Sequence, residues 1–250
     1  MTNLREWLSS GPFTLAMSSG FFGFFAHAGF MSVLEEEGLL PARVCGSSAG
    51  ALVAGLWASG LPAPRICDEL LALRREHFWD VGPGLGLLRG ALFRERLRAV
   101  ALVTSFDECR VPLAVSVFDL GALRTAVLDA GELVPAMHAS CAVPLLFQPV
   151  RIGRRLYLDG GVLDRAGLLG AGAAERVLFH HLTSRSPWRA RAPQPPRRPR
   201  MQVVAVPGLP TPNPFRLDRG SHAMEGAAHG LRLALSLPIE DRDAAAAPPG

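Results

Sequence analysis

The 250-residue sequence predicts a single α/β domain, a sheet covered by helices on both faces, and three observations predict it. Strand-like apolar runs alternate with helical patterns from residue 13 to about residue 182. The composition, 49% hydrophobic and only 19% charged, supplies one large core, and no linker-like stretch divides the chain into halves. Gly46-Ser47-Ser48-Ala49-Gly50 stands where the apolar Ala42-Arg43-Val44-Cys45 gives way to helix-like Ala51–Ala58, which reads as strand, sharp turn, helix. The expected core covers about residues 13–182 and 201–237, with a Pro/Arg-rich loop at 184–200 and a frayed tail at 239–250.

Taken in order, Phe13–Ser18 is the first strand-like run, and Ser18-Ser19-Gly20-Phe21-Phe22-Gly23 is a turn leading into a helix. That helix runs Phe24 to Glu37 and is capped by Gly38, glycine being the residue that closes a helix in the left-handed region. Val44–Gly46 is a short apolar strand before the turn at Ser48, and Ala51–Ala58 is the helix after it. Leu85–Leu102 mixes Leu87, Leu88, Leu92, Phe93 and Leu97 with Arg89, Arg94, Arg96 and Arg98, the pattern of an amphipathic helix packed on the sheet or lying on a membrane surface. Pro112–Phe118, Arg124–Leu128, Arg155–Leu158 and Arg176–Leu182 complete the strand-like runs. His180 and His181, near the end of the last one, read as one inward and one outward residue of a strand.

The chemistry-bearing groups sit at the ends of these runs. A serine at a strand-to-helix turn has its hydroxyl pushed clear of the backbone, and the helix behind it aims unpaired N–H groups toward it. Ser48 is therefore a candidate nucleophile, although a Gly/Ser-rich turn between buried elements fits the pentapeptide equally well. Acyl transfer through a serine also needs a base and N–H donors for the oxyanion. Ser18–Gly23 could present such donors beside a helix N-terminus. Asp159, in the only Asp-Gly pair of the chain and directly after a strand-like run, is placed to be the base or to be a plain turn residue.

These pieces occur together and in order in patatin-like phospholipases, which the chain resembles over about residues 13–165. The resemblance rests on the Ser-Gly loop leading into Gly23-Phe24-Phe25-Ala26-His27-Ala28-Gly29-Phe30, on Gly46-Ser47-Ser48-Ala49-Gly50-Ala51-Leu52, on Ala139-Ser140-Cys141-Ala142-Val143-Pro144-Leu145-Leu146-Phe147-Gln148-Pro149-Val150, and on Asp159-Gly160-Gly161. It implies a three-layer α/β/α fold with a mainly parallel central sheet and a lipid acyl hydrolase with no metal or organic cofactor. It assigns Ser48 as nucleophile and Asp159 as base of a dyad without a catalytic histidine. The oxyanion hole falls on Ser19, Gly20, Phe21, Phe22 and Ala49. Phe21, Phe22, Phe24 and Phe25, at the head of a buried helix, are either core residues or acyl-pocket candidates, and neither role excludes the other. The sequence departs from the family pattern where a run of glycines followed by a basic residue is usual, because Ser18-Ser19-Gly20-Phe21-Phe22 stands there.

Two alternatives follow. One is a Ser-Asp-His esterase drawing on His180 or His181; the other is a catalytically weak or inactive member that binds lipid or a partner. An aspartate can act as the base if its pKa is raised by partial burial or if the serine proton moves as attack proceeds, and activity is then expected to persist at mildly acidic pH, where a catalytic histidine falls silent.

Cys45, Cys67, Cys109 and Cys141 are far apart, so they indicate neither a zinc site nor a disulfide framework. Residues 11–34 carry no charged side chain and Ala26-His27-Ala28 mimics a signal-peptidase site, yet the polar interruptions favour a buried strand, loop and helix. All 26 basic residues are arginine, and six of them (Arg185, Arg189, Arg191, Arg197, Arg198 and Arg200) cluster in the loop; removing these six from the net +4 leaves −2. The basic character is thus local, which argues against a nucleic-acid partner and suits either an inert loop or a contact with anionic lipid. The expected partner is a lipid or ester substrate, in a cytoplasmic protein with peripheral contact to anionic membrane; the sequence leaves the oligomeric state open.

Overall fold

The computed structural model describes residues 2–183 and 194–239. In chain order the elements are α1 (Leu4–Ser9), β1 (Thr14–Met17), α2 (Phe24–Glu36), β2 (Arg43–Ser47), α3 (Ala49–Ala58), α4 (Ala63–Leu71), α5 (Ala91–Val100), β3 (Leu113–Asp119), β4 (Arg124–Leu128), α6 (Leu133–Ser140), β5 (Val150–Ile152), β6 (Arg155–Asp159), β7 (Val177–His181), β8 (Met201–Ala205) and α7 (Arg219–Ser236). All eight strands form one sheet, in which β3, β2, β1, β7 and β8 run parallel and β4, β5 and β6 pair antiparallel. The mainly parallel sheet flanked by helices agrees with the sequence expectation.

Each strand sorts its side chains by period two. Leu15, Met17, Val44, Leu113, Val115, Val117 and Leu178 face the main core with the helices. Ala16, Cys45, Ala114, Val177, Phe179 and Met201 point the other way, where Val127, Ala166, Leu168 and Ala171 pack on them. An irregular segment thus contributes to the cover of this second face. His180 and His181 fall one on each side as expected, but both are buried.

All ten residues of α3 are buried, as are nine of the thirteen in α2, which is why these helices are apolar around their whole circumference. The segment 11–34 is accordingly interior strand, loop and helix, and no helix among the described residues is long and apolar enough to cross a membrane. α2 passes so close to α7 that a Cβ at Gly29 would lie 2.1 Å from Met224 O.

The expected helix over 85–102 is shorter. Residues 82–90 form a glycine-bearing loop, and α5 begins only at Ala91, where Asp80 accepts from the N–H groups of Gly90, Ala91 and Leu92. This capping carboxylate sets the helix start, a signal that lies outside the apolar pattern itself. α5 packs on α6 rather than on the sheet. Residues 184–193 of the Pro/Arg-rich loop and 240–250 of the tail lie outside the described residues; at the loop's far end Arg198 and Arg200 donate to the carbonyls of Gly172 and Ala174.

Candidate active site

The site is built where two strands end head to head on one edge of β3. β2 pairs with the first part of β3, reaching Ser47 opposite Ser116, and β4 pairs along the other edge. β6 occupies the continuation of the β2 edge in the opposite direction and ends with Asp159 opposite Val117. The residue after β2 and the last residue of β6 are therefore brought together across 111 positions of sequence, and Ser48 Oγ donates to Asp159 Oδ2 at 2.6 Å.

Local sequence explains how Ser48 holds its pose. Its φ of 52° and ψ of −119° lie outside the regions an L-residue ordinarily occupies, which costs about 1–3 kcal/mol. The surrounding structure supports it. Ser48 N–H donates to Ser140 Oγ at 2.8 Å, and Ser140 Oγ donates in turn to Ser116 O at 2.7 Å. The flanking glycines are needed for room, since a Cβ at Gly46 would meet the backbone of Gly50 at 2.6 Å and one at Gly50 would meet Met17 O at 2.1 Å. Ser140 is a supporting residue for which the sequence pattern assigns no role.

Asp159 is buried, and its second oxygen accepts from Gly161 N–H at 2.7 Å. Burial pushes its carboxyl up to about 6, while the hydrogen bonds from Ser48 and Gly161 pull the other way. That value changes one expectation: activity governed by Asp159 would fade near pH 6, so a mildly acidic profile alone does not separate an aspartate base from a histidine one.

Ser48 and Asp159 stand at the wall of a largely apolar cavity of about 400 Å³, within the range of small-molecule sites. The sequence candidates divide around it. Phe21, Phe22 and Phe24 line the cavity, whereas Phe25 does not; it is in the core, packed on Gly220 of α7. One residue along a helix is a rotation of about 100°, which sends Phe24 and Phe25 to different sides. Phe78, Phe93, Leu97 and Phe147 also line the wall. The sequence pattern marked Phe93 and Leu97 as one face of a helix, but not which space that face borders.

The oxyanion candidates divide as well. Ser19 borders the cavity, but its N–H donates to Arg165 O at 2.8 Å, so the Ser19 amide is already engaged. The N–H groups of Gly20, Phe21, Phe22 and Ala49 have no protein acceptor among the described residues, and all four residues border the same cavity. Phe22 takes φ 54°, a left-handed conformation that glycine would adopt without strain, and its ring packs among Phe21, Phe24 and Phe78.

The loop is anchored at its root by two buried histidines. His27 Nε2 lies 2.7 Å from the Ser18 carbonyl, which can only accept, so Nε2 carries the proton. His27 Nδ1 then accepts from His180 Nδ1, 2.9 Å away, and the His180 ring stacks on Phe30. Burial pulls His27 down to about 4 and His180 further below its ordinary value, so both are neutral at pH 7. Neither His180 nor His181 lines the cavity, and His181 packs against Phe179 on the second face. His27→Ala is expected to cost about 2–4 kcal/mol in chemical denaturation by leaving the Ser18 carbonyl unpaired beside a void. His27→Gln, which keeps a donor, should recover part of that loss; equal destabilisation by both would show that the bond to Ser18 carries nothing.

Among the described residues no cluster of three or more histidine, cysteine, aspartate or glutamate side chains is arranged to hold a metal ion. The four cysteines are free; Cys141 borders the cavity, and burial raises its thiol well above the ordinary value.

Comparison with known proteins shows the family and the fold. The sequence model of the family described as Patatin-like phospholipase matches residues 15–171. An uncharacterized NTE family protein of Mycobacterium tuberculosis is 30% identical over 165 residues, covering 64% of this chain and 46% of that protein. An uncharacterized protein of Bacillus subtilis, YqhO, is 28% identical over 173 residues, covering 56% of this chain and 60% of that one. The chain thus spans about half the length of the first of these curated relatives. Among solved structures, VipD from Legionella pneumophila superposes with a TM-score of 0.58 at 14% identity, covering 90% of this chain and 66% of that one, a likeness of fold. With the family model matched over more than half its residues, from the first strand through the strand-end aspartate, this chain belongs to the patatin-like phospholipase family.

Proposed function

We propose that the protein is a lipid acyl ester hydrolase in which Ser48 is the nucleophile and Asp159 the general base. The observation that carries this reading is the 2.6 Å hydrogen bond from Ser48 Oγ to Asp159 Oδ2 at the wall of an apolar cavity. In the first half-reaction Ser48 Oγ attacks the ester carbonyl carbon as its proton passes to Asp159 Oδ2. The N–H groups of Gly20, Phe21, Phe22 and Ala49 are available for the oxyanion, and preorganised donors of this kind are worth about 3–4 kcal/mol each in a site shielded from water. Collapse of the tetrahedral intermediate breaks the bond to the alkoxy oxygen, which leaves with the proton from Asp159. In the second half-reaction a water attacks the acyl-enzyme carbonyl as its proton passes to Asp159, and the tetrahedral intermediate collapses with Ser48 Oγ departing and taking that proton back from Asp159, which releases the carboxylic acid and restores both groups.

The raised pKa of Asp159 supports the role, because a carboxylate near 6 is a far better proton acceptor than one at its ordinary value. The missing basic residue of the loop does not remove the backbone donors, which favours an active enzyme over a binding-only member. His180, hydrogen-bonded to His27 away from the cavity, gives the triad reading no support.

The apolar wall points to acyl chains as the bound portion. A panel of p-nitrophenyl esters from acetate to palmitate, with lysophosphatidylcholine, phosphatidylcholine and triacylglycerol, tests this. Higher kcat/KM for acyl chains of several methylenes than for acetate is expected, each buried methylene contributing about 0.8 kcal/mol. A folded protein that hydrolyses none of these esters sinks the proposal.

A further inference from the structure

Two chain segments meet at the rim of the cavity and turn leucines outward. Gly82 N–H donates to Leu87 O at 3.1 Å, closing residues 82–87 into a narrow loop. Leu87 N–H donates to Leu145 O at 3.0 Å and Leu88 N–H to Leu146 O at 2.8 Å, docking that loop along 145–148. Gln148 Nε2 donates to Pro83 O at 2.7 Å and completes the seam. On this prong Leu85 is 75% exposed, Leu87 46% and Leu145 71%, while Leu145 also borders the cavity.

Neither conformation nor core packing accounts for these leucines. Leu145 holds φ 66°, a left-handed conformation that disfavours a branched side chain, and it is turned to solvent rather than compensated by burial. Leu85 sits between Gly84 and Gly86, where a polar residue would serve a solvated turn. The prong is connected through Leu145 to the space that would hold an acyl chain, and it has a cationic base. Arg89 is exposed and its side chain lies across Gly82, while α5 adds Arg94 and Arg98 against Glu95. The Asp80 carboxylate is turned to the N–H groups that start α5.

We infer that Leu85, Leu87 and Leu145 form a wedge that enters an anionic lipid surface, with Arg89 at the headgroup level, so that the cavity mouth opens into the leaflet supplying the substrate. The inference rests on the lipid-hydrolase reading for its purpose but on the prong for its evidence. A leucine moved from water into the acyl region shifts the partition equilibrium by about tenfold or more, and the arginines make the contact salt-dependent.

The test uses the full chain with phosphatidylcholine vesicles and with vesicles of phosphatidylcholine and phosphatidylglycerol, measured by co-sedimentation. Wild type should bind the anionic vesicles more tightly, with the preference fading at high salt and in Arg89→Gln. The double variant Leu85→Asp, Leu87→Asp, neither residue lining the cavity, should lose at least about tenfold in partition while keeping its melting temperature and its hydrolysis of soluble p-nitrophenyl butyrate. Vesicle binding unchanged in the double variant overturns the inference, as does a wild type that binds neither vesicle. A wild-type dimer that the double variant dissociates, without vesicle binding in either, assigns the prong to a second copy of the chain and overturns it too. A wild type that binds through the prong yet hydrolyses no ester upholds the docking surface and removes the hydrolase reading instead.

Discussion

Ser48→Ala is expected to abolish covalent labelling by a fluorophosphonate probe and to lower turnover by on the order of 10³-fold or more, the scale seen when a nucleophile acting as part of a unit is removed. The Ser48 hydroxyl stands on the strained residue of the turn, and Asp159 lies at 2.6 Å to take its proton. The variant also removes a hydrogen bond that favours the ionised form of Asp159, so the carboxyl should rise above about 6. Intact-mass analysis of probe-treated wild type and variant decides the matter. Labelling of the alanine variant, or none in folded wild type, would remove Ser48 from the role. The fold is expected to survive, since Ser48 N–H keeps its bond to Ser140 whatever the side chain.

Asp159→Asn should lose on the order of 10²-fold or more in kcat and gain stability, a pairing that a purely structural residue would not show. Asparagine can accept from Gly161 and donate to Ser48 Oγ, so the local bonds persist while the base is gone. The stability sign follows from the raised pKa. Between the ordinary aspartate value and about 6 the folded state holds the proton that the unfolded chain releases, so wild type loses stability as pH rises through this window. At pH 7 the buried ionised carboxylate costs about 1–3 kcal/mol, which the amide avoids. The melting temperature of Asp159→Asn should therefore exceed that of wild type by a few degrees at pH 7, with the gap closing toward pH 4. Wild-type kcat/KM should fall as pH drops through about 6. Full activity in the asparagine variant, or a melting temperature below wild type at pH 7, would contradict the role assigned to the carboxylate. Because a histidine base would give a similar acid limb, the comparison with His181→Ala completes the test; that variant should keep most of its kcat in whatever fraction folds.

The elements legible in the sequence are those whose cause is local. β1, β2, β3, β4, β6 and β7 fall on the apolar runs within a residue or two, and α2 ends next to Gly38, which has the φ of 67° that only glycine takes at ease. β5 and β8, of three and five residues, do not stand out as strands in the sequence pattern. They lie toward opposite edges of the sheet, where half-exposed residues dilute the apolar signal. The long helix expected over 85–102 is shortened for a related reason: in its first third Leu85 and Leu87 are turned to solvent on a loop while Leu88 is buried, and Asp80, outside the pattern, sets where the helix begins.

By itself the sequence determined the strand-turn-helix around Ser48, the glycines that make room for it, and the presence of a strand-end aspartate, because each depends on residues within a few positions of one another. Only the tertiary structure decided that Ser48 meets Asp159, since this requires β2 and β6 to end on the same edge of β3 from opposite directions. It also decided that Phe24 lines the cavity while Phe25 fills the core, that the Ser19 amide is engaged by Arg165, and that His180 serves His27. A helix that is apolar all round carries no phase in its sequence, and a hydrogen bond between residues a hundred or more positions apart leaves no mark in either segment. Register and rotation are set by packing, so the groups were readable one by one and their partners were not.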